Sequence, residues 1–173
     1  MPACDVHAWR AEALAALAGA TQGVLEEKKA HRRPGRLSTG AHQCGVSGIL
    51  LLTPNRPHTL LVAEHGLPPA QHRLRIPLDL GHPGWVAQHQ CPLVLANTDE
   101  AVDFRQILKT SHMGSALFGP MVWGGQMLGQ VLTAAQARHT YGPIDLDIFM
   151  GFAHVAAAVY IAHGGPAWLR TLV

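Results

Sequence analysis

Residues 111–136, SHMGSALFGPMVWGGQMLGQVLTAAQ, decide the fold of this chain. Two apolar runs, from Ser115 to Val122 and from Met127 to Ala135, flank Gly124-Gly125. Glycine accepts the positive φ that a tight hairpin turn demands, so the runs are expected to pair as antiparallel strands. Both runs are apolar with poor alternation, which is the pattern of strands covered on both faces; the hairpin is therefore expected in the middle of a sheet.

Working upstream, Gly81 to Gln90 has a glycine-proline-glycine start followed by Trp85, Val86 and Ala87, and is expected to be a short helix. A short strand over Pro92 to Ala96 and a second short helix over Asp99 to Thr110 follow, the latter with Phe104, Ile107 and Leu108 on one face. Further back, Cys44 to Thr53 and Thr59 to Glu64 flank Pro54-Asn55-Arg56-Pro57, a sequence that turns because proline fixes φ and cannot extend a central ladder. His72 to Leu78 sets Arg73 and Arg75 against Leu74 and Ile76, the alternation of a half-buried strand. Trp9 to Lys29 carries Leu14, Leu17, Thr21, Val24 and Leu25 at helical spacing, and His31 to Gln43 has the composition of a loop.

Downstream, Gly142-Pro143 opens the last helix, with Asp145 and Asp147 placed to complement its dipole. Its apolar stripe is expected along Ile148, Phe152, Val155 and Val159, widened by Phe149, Ala156 and Tyr160 beyond what one packing face needs. Gly164-Gly165-Pro166 breaks this helix, leaving residues 164–173 as a tail. The elements add up to an α+β fold: a central antiparallel sheet of about five or six strands flanked by helices.

Composition narrows the classes of function. The 173 residues fit one domain, long enough to bury about two thirds of the unfolded surface. A net charge of +2 gives no reason to expect nucleic acid or an anionic membrane as partner. Cys4, Cys44 and Cys91 have no metal-type spacing, and an odd count of three speaks against a disulfide framework. No apolar run is read as a membrane span, the N-terminus does not have the pattern of a signal peptide, and a cytoplasmic location is expected. The twelve histidines are scattered rather than clustered, so no metal site is expected. Neither a phosphate-binding loop, a serine-nucleophile elbow nor a zinc-protease helix motif is present.

The order of elements, with Gly81 and Gly84-Trp85-Val86-Ala87, Pro92-Leu93-Val94-Leu95, Ser115 with Leu117 and Pro120-Met121, and Gly129 with Val131-Leu132, resembles a GAF domain. The resemblance covers residues 9–163 and implies a GAF/PAS-like sheet, a small-molecule pocket between the sheet and residues 81–110, and dimerisation through the terminal helices. The ligand-contacting residues it suggests are Ile76, Trp85, Asp103, Phe104, Arg105, Ile107, His112, Ser115 and Leu117, with no catalytic residue and no metal ligand.

Known specialisations of the family can be weighed against residues. Methionine sulfoxide reductases of this fold need cysteines in the glycine-rich turn and before the hairpin, where this chain has Gly-His-Pro-Gly-Trp and Lys-Thr-Ser-His-Met. Bilin attachment needs a cysteine where this chain has residues 103–108, DFRQIL. His112 could bond a ligand or ligate haem iron, Asp103 and Arg105 could hold a polar ligand, and Trp123 at the hairpin tip could mark a contact surface. The resulting expectation is a non-enzymatic, ligand-binding sensor with the ligand and any cofactor unidentified, signalling through a partner protein. The alternatives are a degenerate domain that only dimerises, a redox enzyme using Cys91 or Cys44, and a haem protein.

Overall fold

A computed structural model describes residues 44–54, 57–67, 69–101, 106–108 and 112–173. The expected helix from Trp9 to Lys29 and the loop after it lie outside the described residues.

The hairpin that decides the fold is present. Strands β5 (Ser115–Trp123) and β6 (Gln126–Ala135) pair antiparallel from Ser115 opposite Ala135 to Trp123 opposite Gln126. Gly124 and Gly125 make the turn at φ 57° and 77°, a region that side chains disfavour. Around this pair stand β1 (Cys44–Leu52), β2 (His58–His65), β3 (Arg75–Pro77) and β4 (Leu93–Leu95). The sheet order is β3-β2-β1-β6-β5-β4, all antiparallel, so the hairpin sits inside the sheet as its composition requires.

Because side chains alternate across a strand, the sheet sorts its residues into two cores. One face carries Ile49, Leu51, Leu117, Met121, Val131 and Ala135, and is covered by helix α2 (Pro143–Ala162). The other carries Val46, Leu50, Ala116, Phe118, Leu132 and Ala134, and is covered by helix α1 (Gly81–His89). Gly119 lies under α2: a Cβ there would stand 2.9 Å from the sulfur of Met150 and 3.2 Å from the ring of Phe149.

At the start of α2 the Asp145 carboxylate accepts a 2.6 Å bond from the Gly142 N–H, and the Asp145 N–H donates to the Gly142 carbonyl at 3.1 Å. These bonds satisfy groups that a helix start leaves open. The helix buries Phe149, Phe152, Ala153, Ala156, Ala157 and Tyr160, a stripe centred one position away from the expected one. Val155 faces outward at 48% exposure, because α2 is apolar over most of its circumference and periodicity alone did not fix the buried face. That same apolarity makes α2 long and apolar enough, by length and composition, to cross a membrane, contrary to the sequence reading. Here it packs on β5 and β6.

Three further expectations are corrected. The strand expected from His72 to Leu78 is confined to Arg75–Pro77, because Arg73 turns left-handed (φ 62°). Asp99 does not begin a helix: Thr98–Glu100 is a single 3-10 turn, and Ala101 is extended (φ −82°, ψ 99°). The tail is not free of the fold, since Gly165–Arg170 forms a short helix, α3, that buries Leu169 against the α2 core. Gly165 permits this docking, as a Cβ there would fall 2.1 Å from the Tyr160 ring.

Two substitutions test this account. Gly165→Ala should lower stability by about 1–3 kcal/mol through overpacking, read as a lower urea midpoint at unchanged slope. Gln90, the left-handed C-cap of α1 at φ 52°, is the converse case. Gln90→Gly should raise stability by ~0.5–1 kcal/mol in the same measurement.

Candidate functional site

The α1 side of the sheet holds a cavity of about 50 Å³. Its floor is Val46, Ile76, Ala116, Phe118, Leu132 and Ala134 from four different strands. His82 and Pro83 wall it from the first turn of α1, while Gln106, Ile107, Leu108 and Met113 close it from the connection between β4 and β5. The lining is almost wholly apolar. Its size accommodates a few water-sized spheres, well short of the roughly 300 Å³ at which small-molecule pockets begin.

Position of α1 sets the wall. Gly84 lies so close to the chain leaving β3 that a Cβ would stand 2.2 Å from the Leu78 carbonyl oxygen. Beneath it, fully buried Gln130 donates from Nε2 to the Pro83 carbonyl at 3.0 Å and ties β6 to α1. Its Oε1 has no hydrogen-bond partner among the described residues. His82 is 8% exposed and stacks on Phe118 with ring centroids 5.8 Å apart.

The cap is pinned at its two ends. Thr98 Oγ1 donates to the Met113 carbonyl and the Thr98 N–H to the Gly114 carbonyl, joining the start of the excursion to its return. Within it, Gln106 Nε2 donates to the Leu108 carbonyl at 3.1 Å, and Gln106 Oε1 accepts from the Met113 N–H at 3.2 Å. At the surface Asp99 lies between His112, whose Nε2 is 3.1 Å away, and Arg138.

Outside α1 lies a second, open recess of about 480 Å³. It is lined by Leu78 and Asp79 from the chain after β3, by Gly81, Gly84, Trp85 and Gln88 of α1, and by Leu93 and Ala101. His82 lines both spaces. Trp85 is 39% exposed, and its indole stacks on His89 at 4.4 Å.

The residues singled out from sequence divide accordingly. Ile76 and Ile107 line the inner cavity, and Trp85 lines the outer recess. Leu117 belongs to the α2-side core, on the opposite face of the sheet. Ser115 is on that face too and is used structurally: its Oγ donates to the Leu95 carbonyl at 2.9 Å and accepts from the Tyr141 N–H at 3.2 Å. The reason is a one-residue choice of face, which β5 does not betray because both of its faces are apolar. His112 is bound to Asp99 on the exterior and lines neither space. Asp103, Phe104 and Arg105 lie outside the described residues. Cys91 is exposed and lines neither space.

Sequence reasoning missed His82, Pro83, Ala116, Phe118, Leu132 and Ala134. The Gly124-Gly125 turn alone does not reveal the strand residues, because a bulge between Met121 and Val122 shifts the register by one residue and so brings Ala116 and Phe118 opposite Ala134 and Leu132. No signal existed for His82 beyond its place in the glycine-proline-glycine turn.

The family model for the GAF domain matches residues 36–160. No curated protein matches the chain. Among solved structures, the GAF domain of a phosphoenolpyruvate-protein phosphotransferase from Coxiella burnetii is 21% identical with a TM-score of 0.64, covering 93% of this chain and 97% of that one. The corresponding Acinetobacter domain is also 21% identical, with a TM-score of 0.63 over 70% of this chain and 74% of the other. Free methionine-R-sulfoxide reductase from Neisseria meningitidis, determined with its substrate, is 19% identical with a TM-score of 0.61, covering 75% of this chain and 71% of that one.

Removing the clasp should loosen the cap before the sheet. Thr98→Val leaves the buried Met113 carbonyl without this donor and should cost about 1–3 kcal/mol. Hydrogen exchange should show faster exchange at Gln106 to Met113 with β5 and β6 unchanged; equal acceleration in the strands would refute the clasp.

Proposed function

The chain belongs to the GAF domain family, whose members are general ligand-binding and regulatory domains, and on that premise we propose that it is a non-catalytic sensor for a small, largely apolar molecule. The observation that supports this is the cavity between α1, the β4–β5 connection and the sheet, with its apolar floor and separately pinned cap. A ligand larger than the cavity must displace residues 106–108 or extend past His82. Displacing residues 106–108 changes the β4–β5 connection, whose pinned end at Thr98 also touches the β6–α2 loop through Asp99 and Arg138. Occupancy is thereby passed to α2, and through it to a partner protein.

A redox-enzyme reading has less support. The described residues lining the cavity include no cysteine, and Cys91 lies elsewhere. We also propose that the chain forms a homodimer through its terminal helices and acts in the cytoplasm. Support for the dimer comes from the outer face of α2, where Ile144 is 73% and Val155 48% exposed. Val155→Glu should shift the chain to the monomer in sedimentation velocity without lowering its melting temperature; an unchanged mass refutes this dimer.

Native mass spectrometry of the freshly purified chain tests the sensor. A non-covalent mass excess is expected, and toluene should raise the melting temperature of ligand-stripped protein. Ala134→Leu, which fills the floor, should abolish both effects. Absence of a mass excess together with no response to toluene would overturn the proposal.

A further inference from the structure

The outer recess has a chemical character that the inner cavity lacks. Asp79 stands on one side of it with no salt-bridge partner among the described residues. Trp85 offers an exposed indole on another side, held in place by its stack on His89. The His89 ring is fixed in turn by a 2.9 Å bond from Nδ1 to the Trp85 carbonyl. Neither lysine nor arginine is among the described lining residues. A carboxylate and an indole lining one recess are groups that attract cations and offer nothing to an anion.

Its volume, about 480 Å³, lies within the range of sites that bind small molecules. Among the described residues His82 is the one that lines both this recess and the apolar cavity. His82 stacks on Phe118, which floors the inner cavity.

We infer that the two spaces form one bipartite site for an amphipathic cation. A quaternary or protonated amine sits between Asp79 and Trp85, and an apolar tail passes His82 into the cavity floored by Phe118 and Ala134. This inference rests on the sensor reading for its inner half, while the headgroup assignment stands on Asp79 and Trp85 alone. It explains how a cavity of about 50 Å³ can serve a ligand larger than itself: the cavity takes the tail and the recess takes the head.

Titration calorimetry of the full chain with four probes tests it: tetramethylammonium, hexyltrimethylammonium, hexanoate and hexanol. Hexyltrimethylammonium should bind at least ~10-fold more tightly than tetramethylammonium, because the tail is buried. Hexanoate should bind more weakly than hexanol. Asp79→Asn should weaken hexyltrimethylammonium about threefold, the modest effect of an exposed charge, and leave hexanol unchanged. Trp85→Ala should weaken the cation about fivefold. Ala134→Leu should reduce hexyltrimethylammonium to the affinity of tetramethylammonium, which ties the tail to the inner cavity. If hexanol binds while hexanoate and the cation are equivalent, or if Asp79→Asn changes nothing, the bipartite site is overturned and the sensor reading survives. If hexanol and every cation are silent, both fall. Cation binding that is indifferent to tail length and to Ala134→Leu removes the tail half of the inference.

Discussion

The register of β5 against β6 is the constraint on which the rest of the structure depends. It starts at Gly124 and Gly125, whose positive φ values close the turn, and is shifted by one residue at a bulge between Met121 and Val122. Once Phe118 stands opposite Leu132 and Leu117 opposite Thr133, every residue of the hairpin is assigned to one helix or the other. A slip of one residue in β5 would carry Leu117 and Met121 from the α2 face to the α1 face.

The two faces are finished differently. Under α2 the packing is dense, with Gly119 giving up its side chain so that Phe149 and Met150 can approach, and Gly165 doing the same for Tyr160. Buried polar groups on that side bond one another: Ser47 Oγ and Thr133 Oγ1 are 3.1 Å apart, and Thr133 Oγ1 and Tyr141 Oη 3.3 Å. Such a network is costly to break because each group is shielded from water. Under α1 the short helix covers less, the cap is held by a few bonds at its ends, and a cavity remains. Stability is concentrated on one face and adaptability on the other, the arrangement expected of a domain that answers to a ligand.

The position of α1 links these faces to the site. Gly84 lets the helix approach the Leu78 carbonyl, and Gln130 reaches from the middle of β6 to hold the Pro83 carbonyl. The buried amide oxygen left on Gln130 has a cost, of order 1–3 kcal/mol, that a purely structural residue would avoid. His82, placed by the same turn, separates an apolar interior from a recess with carboxylate and indole groups. Chemistry at this site thus depends on a backbone approach that only glycine permits.

Much of the fold was legible in the chain itself. Gly-Gly between two apolar runs, proline turns, and Gly142-Pro143 before an apolar stretch act locally, through φ and through missing N–H groups, so β1, β2, β5, β6, α1 and α2 could be placed from residues alone. Elements that depend on distant partners could not. Arg73 leaves the extended region although its neighbours alternate as a strand, and Thr98 to Glu100 form a single 3-10 turn beside the clasp with Ala101 extended instead of opening a helix. The site was legible only in part: Ile76, Ile107 and Trp85 face the two spaces, whereas Leu117 and Ser115 face away. An apolar strand buried on both sides carries no mark of which side faces a cavity. The sequence by itself determined the strands, the turn and the family they belong to, because these rest on local backbone chemistry and periodicity. Only the tertiary structure decided which face of the sheet α1 leaves incompletely filled and brought His82, Asp79 and Trp85 around one opening, because those outcomes depend on how closely separate elements can pack.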